Sequence, residues 1–392
     1  MQRLVQVADE MDHIFERLTP LVSRKAVQSR DLCGVEGDRI APPAGQVIGD
    51  GAAGYVVSHA TNNSFRLTNR LLKAKLPVSW ITAPVTLDGE TLAPGALWIP
   101  ASARAARMVG SAASELGITV HRVAAKPTAP TVRLRPVRIG LVDIYGGSMA
   151  SGWTRWIFEQ FEFPYKLVYP QELDRGGLRG KYDVLLFQTD VFGREGRRPR
   201  PQPEAKDIPA AYRTMLGRLG DEKTLPQVAR FADQGGTVIA VGNATTIGPK
   251  LGLAVTNALS TPKNGKQVPL PSSKFYVPGS ILSASFDPNH PLAYGMPATG
   301  DVFYYNNPSY RLAVGDASLR SVGWFTSDDP LRSGWAWGQK LLKGTSAIVD
   351  AKHGRGHVYL LAPEVTQRAQ SYSTFKLLFN SVLYGPASTS AR

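Results

Sequence analysis

The chain has 392 residues, of which 43% are hydrophobic and 19% are charged, so its composition is that of a globular protein and excludes a disordered one. It contains no run of about 18 apolar residues, so the sequence predicts no membrane-spanning helix. Cys33 is the only cysteine, which excludes an internal disulfide and any zinc site built from several thiolates.

The net charge of +14 would suit an acidic partner, yet most arginines are scattered along the chain. A cluster occurs only in the proline-rich stretch REGRRPRPQP, whose composition indicates an exposed loop. The clustered residues are Arg194, Arg197, Arg198 and Arg200. Because no nucleic-acid-binding motif accompanies them, we predict no nucleic-acid partner.

Residues 1–50 are predicted to be an incomplete N-terminal segment. An amphipathic helical stretch, MQRLVQVADEMDHIFERL, precedes a turn-rich stretch that has too few apolar residues for a core of its own. The beginning lacks the apolar centre and the small-residue cleavage site of a secretory signal. The sequence by itself leaves the compartment open.

Residues 51–123 have the pattern of a small α/β unit. YVVSH and PVSWI predict strands, and Asn62 or Asn63 can cap the helix FRLTNRLLKA between them. The pair Asp88-Gly89 predicts a hairpin turn that leads into the strand ALWIP. The helix ARAARMVGSAASELG is expected to end at Gly117, before the strand ITVHRV.

Residues 124–136 have the composition of a linker, and residues 137–386 predict a larger α/β domain. Its apolar runs are typical of strands buried on both faces of a parallel sheet; they are VRIGLVDIY, YKLVYP, YDVLLF, TVIAVG and HVYLLAP. Helices alternate with these strands, which predicts an open, mostly parallel sheet flanked by helices. Residues 255–345, rich in Pro, Gly, Asn and aromatic residues, are interpreted as a β-rich elaboration.

Several long blocks resemble one protein family. IGLVDIYGGSMASGWTRWIFEQFEFPYKLVYPQELD, DPNHPLAYGMP and QSYSTFKLLFNSVLYG are similar to the C-terminal region of bacterial proteins of the zinc carboxypeptidase A-like family. AGYVVSHATNNSFRLTNRLLKA is similar to the connecting region of the same proteins. The resemblance implies a flavodoxin-like, class I glutamine-amidotransferase-like fold for residues 137–386. It also implies an N-terminal zinc peptidase domain, acting outside the cytoplasm, in a full-length parent.

The family's zinc site needs a His-x-x-Glu pair and a distant second histidine. His13 and Glu16 match the short pattern, and His121 could serve as the third ligand. However, His13 falls in the amphipathic helical stretch, and the family's substrate-binding arginine motif is absent. We therefore predict no metal and no other cofactor in this chain, with zinc implied only for the absent peptidase domain.

The amidotransferase-like fold implies a cysteine nucleophile on a tight turn between a strand and a helix. The corresponding turn is TVIAVGNATTIG, which places Asn243 where the nucleophile would lie. An amide side chain cannot usefully attack a carbonyl group, and Cys33 lies far outside this domain. We predict a degenerate nucleophile position at Asn243 and no catalytic residue.

The loop GGSMASG, between a predicted strand and a predicted helix, is the remaining candidate site. Its first five residues nearly match the Gly-x-Ser-x-Gly elbow of serine hydrolases, with Ala150 in place of the last glycine. The favoured interpretation is close packing of small residues. Two alternatives stay open. One is a nucleophile at Ser148; the other is an anion-binding site at the helix start, formed by Gly147, Ser148, Ser151 and Arg155.

Two further patterns are more typical of structure than of function. His353 and His357 have the spacing of two metal ligands on a helix, but the intervening glycines predict a hairpin turn. Large aromatic residues in the 255–345 region are more often core than binding surface. They are Phe303, Tyr304, Tyr305, Trp324, Trp335 and Trp337.

The sequence thus supports two functions. The first is a non-catalytic C-terminal accessory region, or fragment, of a zinc metallocarboxypeptidase-like protein, whose partner is an N-terminal peptidase domain. The alternative is a free-standing hydrolase that uses Ser148 or an unrecognised site.

Overall fold

The computed structural model describes residues 45–193 and 201–389. His13, Glu16, Cys33 and the four clustered arginines lie outside these ranges, so the predictions that involve them stay predictions.

A small six-stranded sheet forms first along the described chain. The first eight strands are β1 (Val47–Ile48), β2 (Gly54–Val57), β3 (Ser79–Ile81), β4 (Val85–Leu87), β5 (Glu90–Leu92), β6 (Leu97–Pro100), β7 (Val120–Val123) and β8 (Thr131–Arg133). Six of them pair in the order β1-β7-β2-β6-β3-β8, while β4 and β5 form a separate hairpin. The helices α1 (Asn63–Lys73) and α2 (Ala103–Leu116) contribute apolar side chains to the same core as this sheet.

Local signals explain most boundaries of this unit. The helix α2 begins after Ser102, whose side chain accepts a hydrogen bond from the Ala105 amide, and it ends at Gly117 in the left-handed conformation, as predicted. Asp88 and Gly89 both have positive φ and form the predicted hairpin turn. The prediction that this turn leads into the strand ALWIP is wrong, however. The turn joins β4 to β5, because Pro94 and Gly95 (φ 98°) interrupt the extended chain before β6.

The predicted linker, residues 124–136, contains the strand β8, which pairs with β3 at the edge of the small sheet. Pro130 and Pro136 flank this short strand, and proline is tolerated at such an edge because no amide is needed there. The composition of residues 124–136 indicated a linker, but the structure has a short edge strand within this segment.

A twelve-stranded sheet forms most of the remaining structure. Its strands, with the separate hairpin β14–β15, are β9 (Ile139–Val142), β10 (Tyr165–Val168), β11 (Val184–Phe187), β12 (Thr237–Val241), β13 (Val255–Asn257), β14 (Ser260–Lys263), β15 (Lys266–Pro269), β16 (Pro278–Phe286), β17 (Thr299–Tyr305), β18 (Tyr310–Leu312), β19 (Leu319–Trp324), β20 (Leu331–Ser333), β21 (Ser346–His353) and β22 (Gly356–Leu361). The main strand order is β10-β9-β11-β12-β22-β21-β19-β16-β17.

The predicted α/β fold with a large sheet flanked by helices is confirmed. The first five strands of this order are parallel, and the rest of the sheet continues antiparallel through β21, β19, β16 and β17. The 255–345 region supplies the strands from β13 to β20, so this elaboration builds most of the antiparallel half of a mixed sheet.

Helices cover both faces of the parallel half. They are α3 (Met149–Gln160), α4 (Pro170–Arg175), α5 (Leu178–Lys181), α6 (Ala210–Arg213), α7 (Thr224–Asp233), α8 (Ile247–Lys250) and α9 (Phe375–Thr389). Leu186 and Ile239 pack in one core cluster with α3 and α9, whereas Leu185 and Val238 pack in the other with α7. The alternation along each strand explains why these strands read as continuous apolar runs.

One core cluster extends from the large sheet into the small α/β unit. The rings of Phe65 on α1 and Phe379 on α9 lie 5.0 Å apart. The His59 ring donates a hydrogen bond from Nε2 to Oδ1 of Asn380, at 2.8 Å, since the Asn380 amide nitrogen donates to two backbone carbonyls. Within the described ranges, no helix is both long and apolar enough to cross a membrane.

Candidate functional site

Polar residues follow four of the parallel strands where these strands end at a common edge of the sheet. Asp143 follows β9, Thr189 lies just beyond β11, Asn243 just beyond β12 and Glu364 just beyond β22. The carboxyl ends of parallel strands are where α/β sheets usually gather ligands and catalytic groups. We call this the carboxyl edge.

Asn243 lies in the short 3-10 turn Gly242–Thr246, directly after β12, as the strand order predicts. Its Oδ1 accepts a hydrogen bond from the Asp190 amide at 2.8 Å, and its Nδ2 donates to Oδ1 of Asp190 at 3.1 Å. Its own amide donates to Oγ1 of Thr189 at 3.0 Å. The Asn243 side chain therefore ties the turn after β12 to the loop after β11.

Gly242 allows this close approach. Its φ is +62°, and a Cβ atom at this position would collide with the Glu364 carboxylate and the Thr189 hydroxyl. The strand-to-turn transition therefore brings the three neighbouring strand ends into direct contact.

The Glu364 carboxylate is the second centre of the carboxyl edge. The side chain is 5% exposed, and its Oε1 accepts hydrogen bonds from Oγ1 of Thr189 and Nδ2 of Asn307, both at 2.8 Å. Asn307 lies between β17 and β18, in the antiparallel half of the sheet. A residue of the 255–345 elaboration therefore completes the group at the ends of the parallel strands.

Within the described residues, the hydrogen bonds at this turn differ from those that acyl transfer uses. Such chemistry needs a thiol or hydroxyl nucleophile that is hydrogen-bonded to a base, most often an imidazole. In the described part of the chain, the hydrogen bonds of Asn243 and Thr189 reach amide, hydroxyl and carboxylate groups, and none reaches a histidine or a cysteine. The arrangement is a hydrogen-bonded network that links the ends of β11, β12 and β22.

The loop after β9 brings together the predicted anion-binding residues around an internal carboxylate. Oδ1 of Asp143 accepts hydrogen bonds from the amides of Ile144 (2.9 Å) and Ser148 (3.2 Å). Oδ2 of Asp143 accepts one from Oγ of Ser151 (2.9 Å). The Ile144 and Ser148 amides and the Ser151 hydroxyl, which are three donors of this loop, thus already serve Asp143.

Ser148 is the N-cap of α3, and its Oγ accepts a hydrogen bond from the Ser151 amide at 3.0 Å. Gly147 donates its amide to the Ile144 carbonyl. Within the described residues, no histidine hydrogen-bonds to Ser148. Capping of α3 is thus the observed role of Ser148 in the sequence that nearly matches the Gly-x-Ser-x-Gly elbow.

The fourth predicted residue, Arg155, lies next to Tyr165, whose hydroxyl raises the pKa of the guanidinium. Burial raises the pKa of the Asp143 carboxyl, although its hydrogen bonds to Ile144, Ser151 and Ser148 oppose that rise. Gly146 and Gly147 are exposed, so the loop is open to solvent. Anion binding here stays a prediction. An external anion would compete with the Asp143 carboxylate for the Ser148 amide and the Ser151 hydroxyl.

Sequence reasoning missed several members of the carboxyl edge: Asp143, Gln188, Thr189, Asn307 and Glu364. Gln188, Thr189 and Glu364 follow predicted buried strands and Asp143 lies near the end of one, which is the signal that could have identified them. The Gln188 side chain is completely buried, and neither its nitrogen nor its oxygen has a hydrogen-bond partner among the described residues. A group of this kind gains stability from any polar partner that reaches it.

Four histidines of the described region lie at a hairpin or contact carboxylates. His353 and His357 flank the tight turn between β21 and β22, which confirms the predicted hairpin. Nδ1 of His121 lies 3.2 Å from Oδ2 of Asp88. His290 and His357 both contact Asp350. No group of three or more His, Cys, Asp or Glu residues within the described ranges is arranged to hold a metal ion.

The predicted aromatic cluster is divided. Tyr304 is completely buried in the core, as predicted for large aromatic residues. In contrast, Trp335 and Trp337 are about half exposed, and Tyr305 is 40% exposed. The core interpretation therefore fails for these three side chains, which lie on the surface of the antiparallel half.

No protein-family model matches the sequence, and no curated protein matches it. Several solved structures do. A GMP synthase component from Thermoplasma acidophilum is 12% identical, with a TM-score of 0.37, and the match covers 66% of this chain and 96% of that one. PurLQS from Thermotoga maritima is 15% identical, with a TM-score of 0.37, over 62% and 97% of the two chains.

A glutamine amidotransferase from Thermotoga maritima is 9% identical, with a TM-score of 0.34, over 59% of this chain and 77% of that one. At such low identities and TM-scores, these likenesses carry no argument about what this chain does. The fold assignment rests on the strand order described above.

Proposed function

We propose that this chain is a non-catalytic accessory region whose larger α/β domain has a class I glutamine-amidotransferase-like framework without the catalytic chemistry. The observation that carries the proposal is Asn243. It lies on the turn after β12, where the framework would hold its nucleophile, and its side chain is hydrogen-bonded to the Asp190 loop. An amide in this position can stabilise the turn but cannot attack a carbonyl carbon.

The Glu364 network supports the same proposal. A carboxylate that accepts hydrogen bonds from Thr189 and Asn307 is held as part of the scaffold. Retention of a fold without its chemistry is common, because function depends on site residues rather than on architecture. We propose that the carboxyl edge serves stability and the docking of neighbouring domains.

The resemblance to zinc carboxypeptidase A-like proteins supports a narrower version. In this version a zinc peptidase domain is the partner of the region, and zinc and peptide hydrolysis belong to that domain alone. The support is the similarity of the sequence blocks, and no residue of the described region is assigned to zinc. A free-standing hydrolase based on Ser148 is less well supported, since that hydroxyl caps α3.

Glutamine hydrolysis tests the proposal. The purified chain is expected to release no ammonia from glutamine above the buffer rate and to form no adduct with a glutamine-directed electrophile, as detected by mass spectrometry. The variant Asn243→Cys restores a thiol but no imidazole, so it should gain an adduct without turnover. Turnover of glutamine by the wild-type chain, or loss of such turnover in Asn243→Ala, would overturn the non-catalytic assignment.

A further inference from the structure

The surface of the antiparallel half of the large sheet has an open cavity of about 570 Å³ that lies apart from the carboxyl-edge residues. The strands β18, β19 and β21 supply most of its walls, and Gly344 lies two residues before β21. Its lining includes Arg311, Leu312, Ser321, Trp324, Gly344 and Ser346. A cavity of this size is in the range that holds small organic molecules.

An irregular backbone builds one wall of this cavity. Ser321 and Trp324 are three residues apart on β19, and in a regular strand their side chains would point to opposite faces. The register between β19 and β21 shifts on both sides of Gly323, and both residues line the same cavity. Bulges of this kind often redirect side chains near binding sites.

The lining has a definite chemical character. Arg311 is exposed, and within the described residues its guanidinium forms no ion pair and no hydrogen bond. Trp324 supplies an aromatic ring, and the hydroxyl of Ser346 donates to the hydroxyl of Ser321 at 2.8 Å. No aspartate or glutamate is among the lining residues. A guanidinium without an acidic partner attracts carboxylate or phosphate groups, and an indole ring stacks on flat groups.

We propose that this cavity binds a small organic anion in which a carboxylate or phosphate group is joined to a planar ring. Arg311 pairs with the anionic group, Trp324 stacks on the ring, and the two serine hydroxyls hydrogen-bond to polar atoms between them. The proposal is independent of the carboxyl edge and of the absence of amidotransferase chemistry.

Gly344 offers a way to close the site. It has a φ of +72°, and a Cβ atom built there would meet no heavy atom within 4 Å. Asparagine tolerates positive φ better than other residues with a side chain, so Gly344→Asn adds a side chain to open space beside the cavity with little backbone strain. This variant blocks the site sterically, whereas Arg311→Ala removes its charge.

The test measures binding to the full chain by ligand-observed NMR and calorimetry. The probes are benzoate, adenosine 5′-monophosphate and the neutral analogue benzamide, so the carboxylate and phosphate sources are compared directly. At least one anion is expected to bind, and benzamide to bind about ten-fold more weakly or worse. Arg311→Ala and Gly344→Asn should each weaken the anion by a similar factor.

The matched control is Arg320→Ala, which removes an exposed arginine of β19 that is not part of the cavity lining. It should leave the affinity unchanged, and the melting temperature of each variant verifies that it is folded. The proposal is wrong if neither anion binds, if benzamide binds as tightly, or if binding survives in Arg311→Ala. If Gly344→Asn does not fold, the exposed Arg311 position still decides the question.

Discussion

The buried imidazole of His59 should make the free energy of unfolding depend on pH in the acidic range. The side chain is 3% exposed and packs between Phe65 and Trp80, at ring distances of 4.8 and 5.3 Å. Burial lowers the pKa of His59 to about 4, although the hydrogen bond to Asn380 opposes the change; the nearby Lys376 charge adds to the lowering.

The sign and size of the effect follow from linkage. The folded-state pKa lies below the ordinary value of 6.5, so the unfolded chain takes up the proton first as the pH falls. The stability contributed by neutral His59 is complete above pH 6.5 and is lost as the pH falls towards about 4. Each pH unit in this window costs up to about 1.4 kcal/mol, and the whole window costs about 3 kcal/mol.

The measurement is urea unfolding of the wild-type chain and of His59→Gln between pH 7 and pH 4.5. Glutamine can still donate a hydrogen bond to Asn380 but does not titrate, so the variant should lose less stability on acidification. His353→Gln, at the last residue of β21, is the matched control and should behave like the wild type. If His59→Gln and the wild type lose unfolding free energy in parallel across this range, the assignment of acid sensitivity to His59 is refuted.

Four further predictions concern other parts of the molecule. Asn243→Ala should lower the free energy of unfolding by roughly 1–3 kcal/mol, because the Asp190 amide loses its acceptor; a neutral result in urea unfolding would remove its structural role. Asp183 is buried, which would raise its pKa, but hydrogen bonds from Arg138 and Arg179 hold that pKa at about 2. Asp183→Asn should therefore cost about 2 kcal/mol at neutral pH, and the wild-type chain should lose this stability only as the pH falls from about 4 to about 2. Phosphate should raise the melting temperature of the wild type more than that of Arg155→Ala if the loop after β9 binds an anion, and equal shifts would exclude this. The purified chain should contain no stoichiometric zinc, and tight one-to-one zinc that disappears in His13→Ala would contradict the prediction.

The parts of the fold that the sequence predicted are those with strong local signals. VRIGLVDIY and TVIAVG supplied β9 and β12 because nearly continuous apolar runs suit strands that are covered on both faces. Gly117 ended α2 because glycine adopts the left-handed conformation without a steric penalty. The position of Asn243 followed directly from the strand that precedes it.

The remainder of the candidate site depends on long-range contacts that have no local signature. Asn307 reaches Glu364 from 57 residues away, through the antiparallel pairing of the 255–345 region. Asp143 folds back onto the amides of the loop that follows it, which depends on a side-chain conformation rather than on residue type. Composition likewise cannot distinguish a linker from an edge strand such as β8, whose pairing with β3 decides its structure.

The carboxyl edge and the Arg311 cavity of the large sheet differ in whether their polar groups already have partners inside the molecule. At the carboxyl edge the antiparallel half closes over the ends of the parallel strands: Asn307 donates to the Glu364 carboxylate, and the Phe303 carbonyl accepts from the Glu364 amide. Groups that are paired inside the molecule gain little from a ligand, because a new hydrogen bond must replace an existing one. Gln188 is unpaired but completely buried, out of reach of a ligand from solvent. The Arg311 guanidinium in the antiparallel half has the opposite properties, since it is exposed, lines a cavity and has no internal partner among the described residues. Ligand binding is therefore expected in the part of the sheet that the 255–345 region builds, while the carboxyl edge holds the parallel strands together.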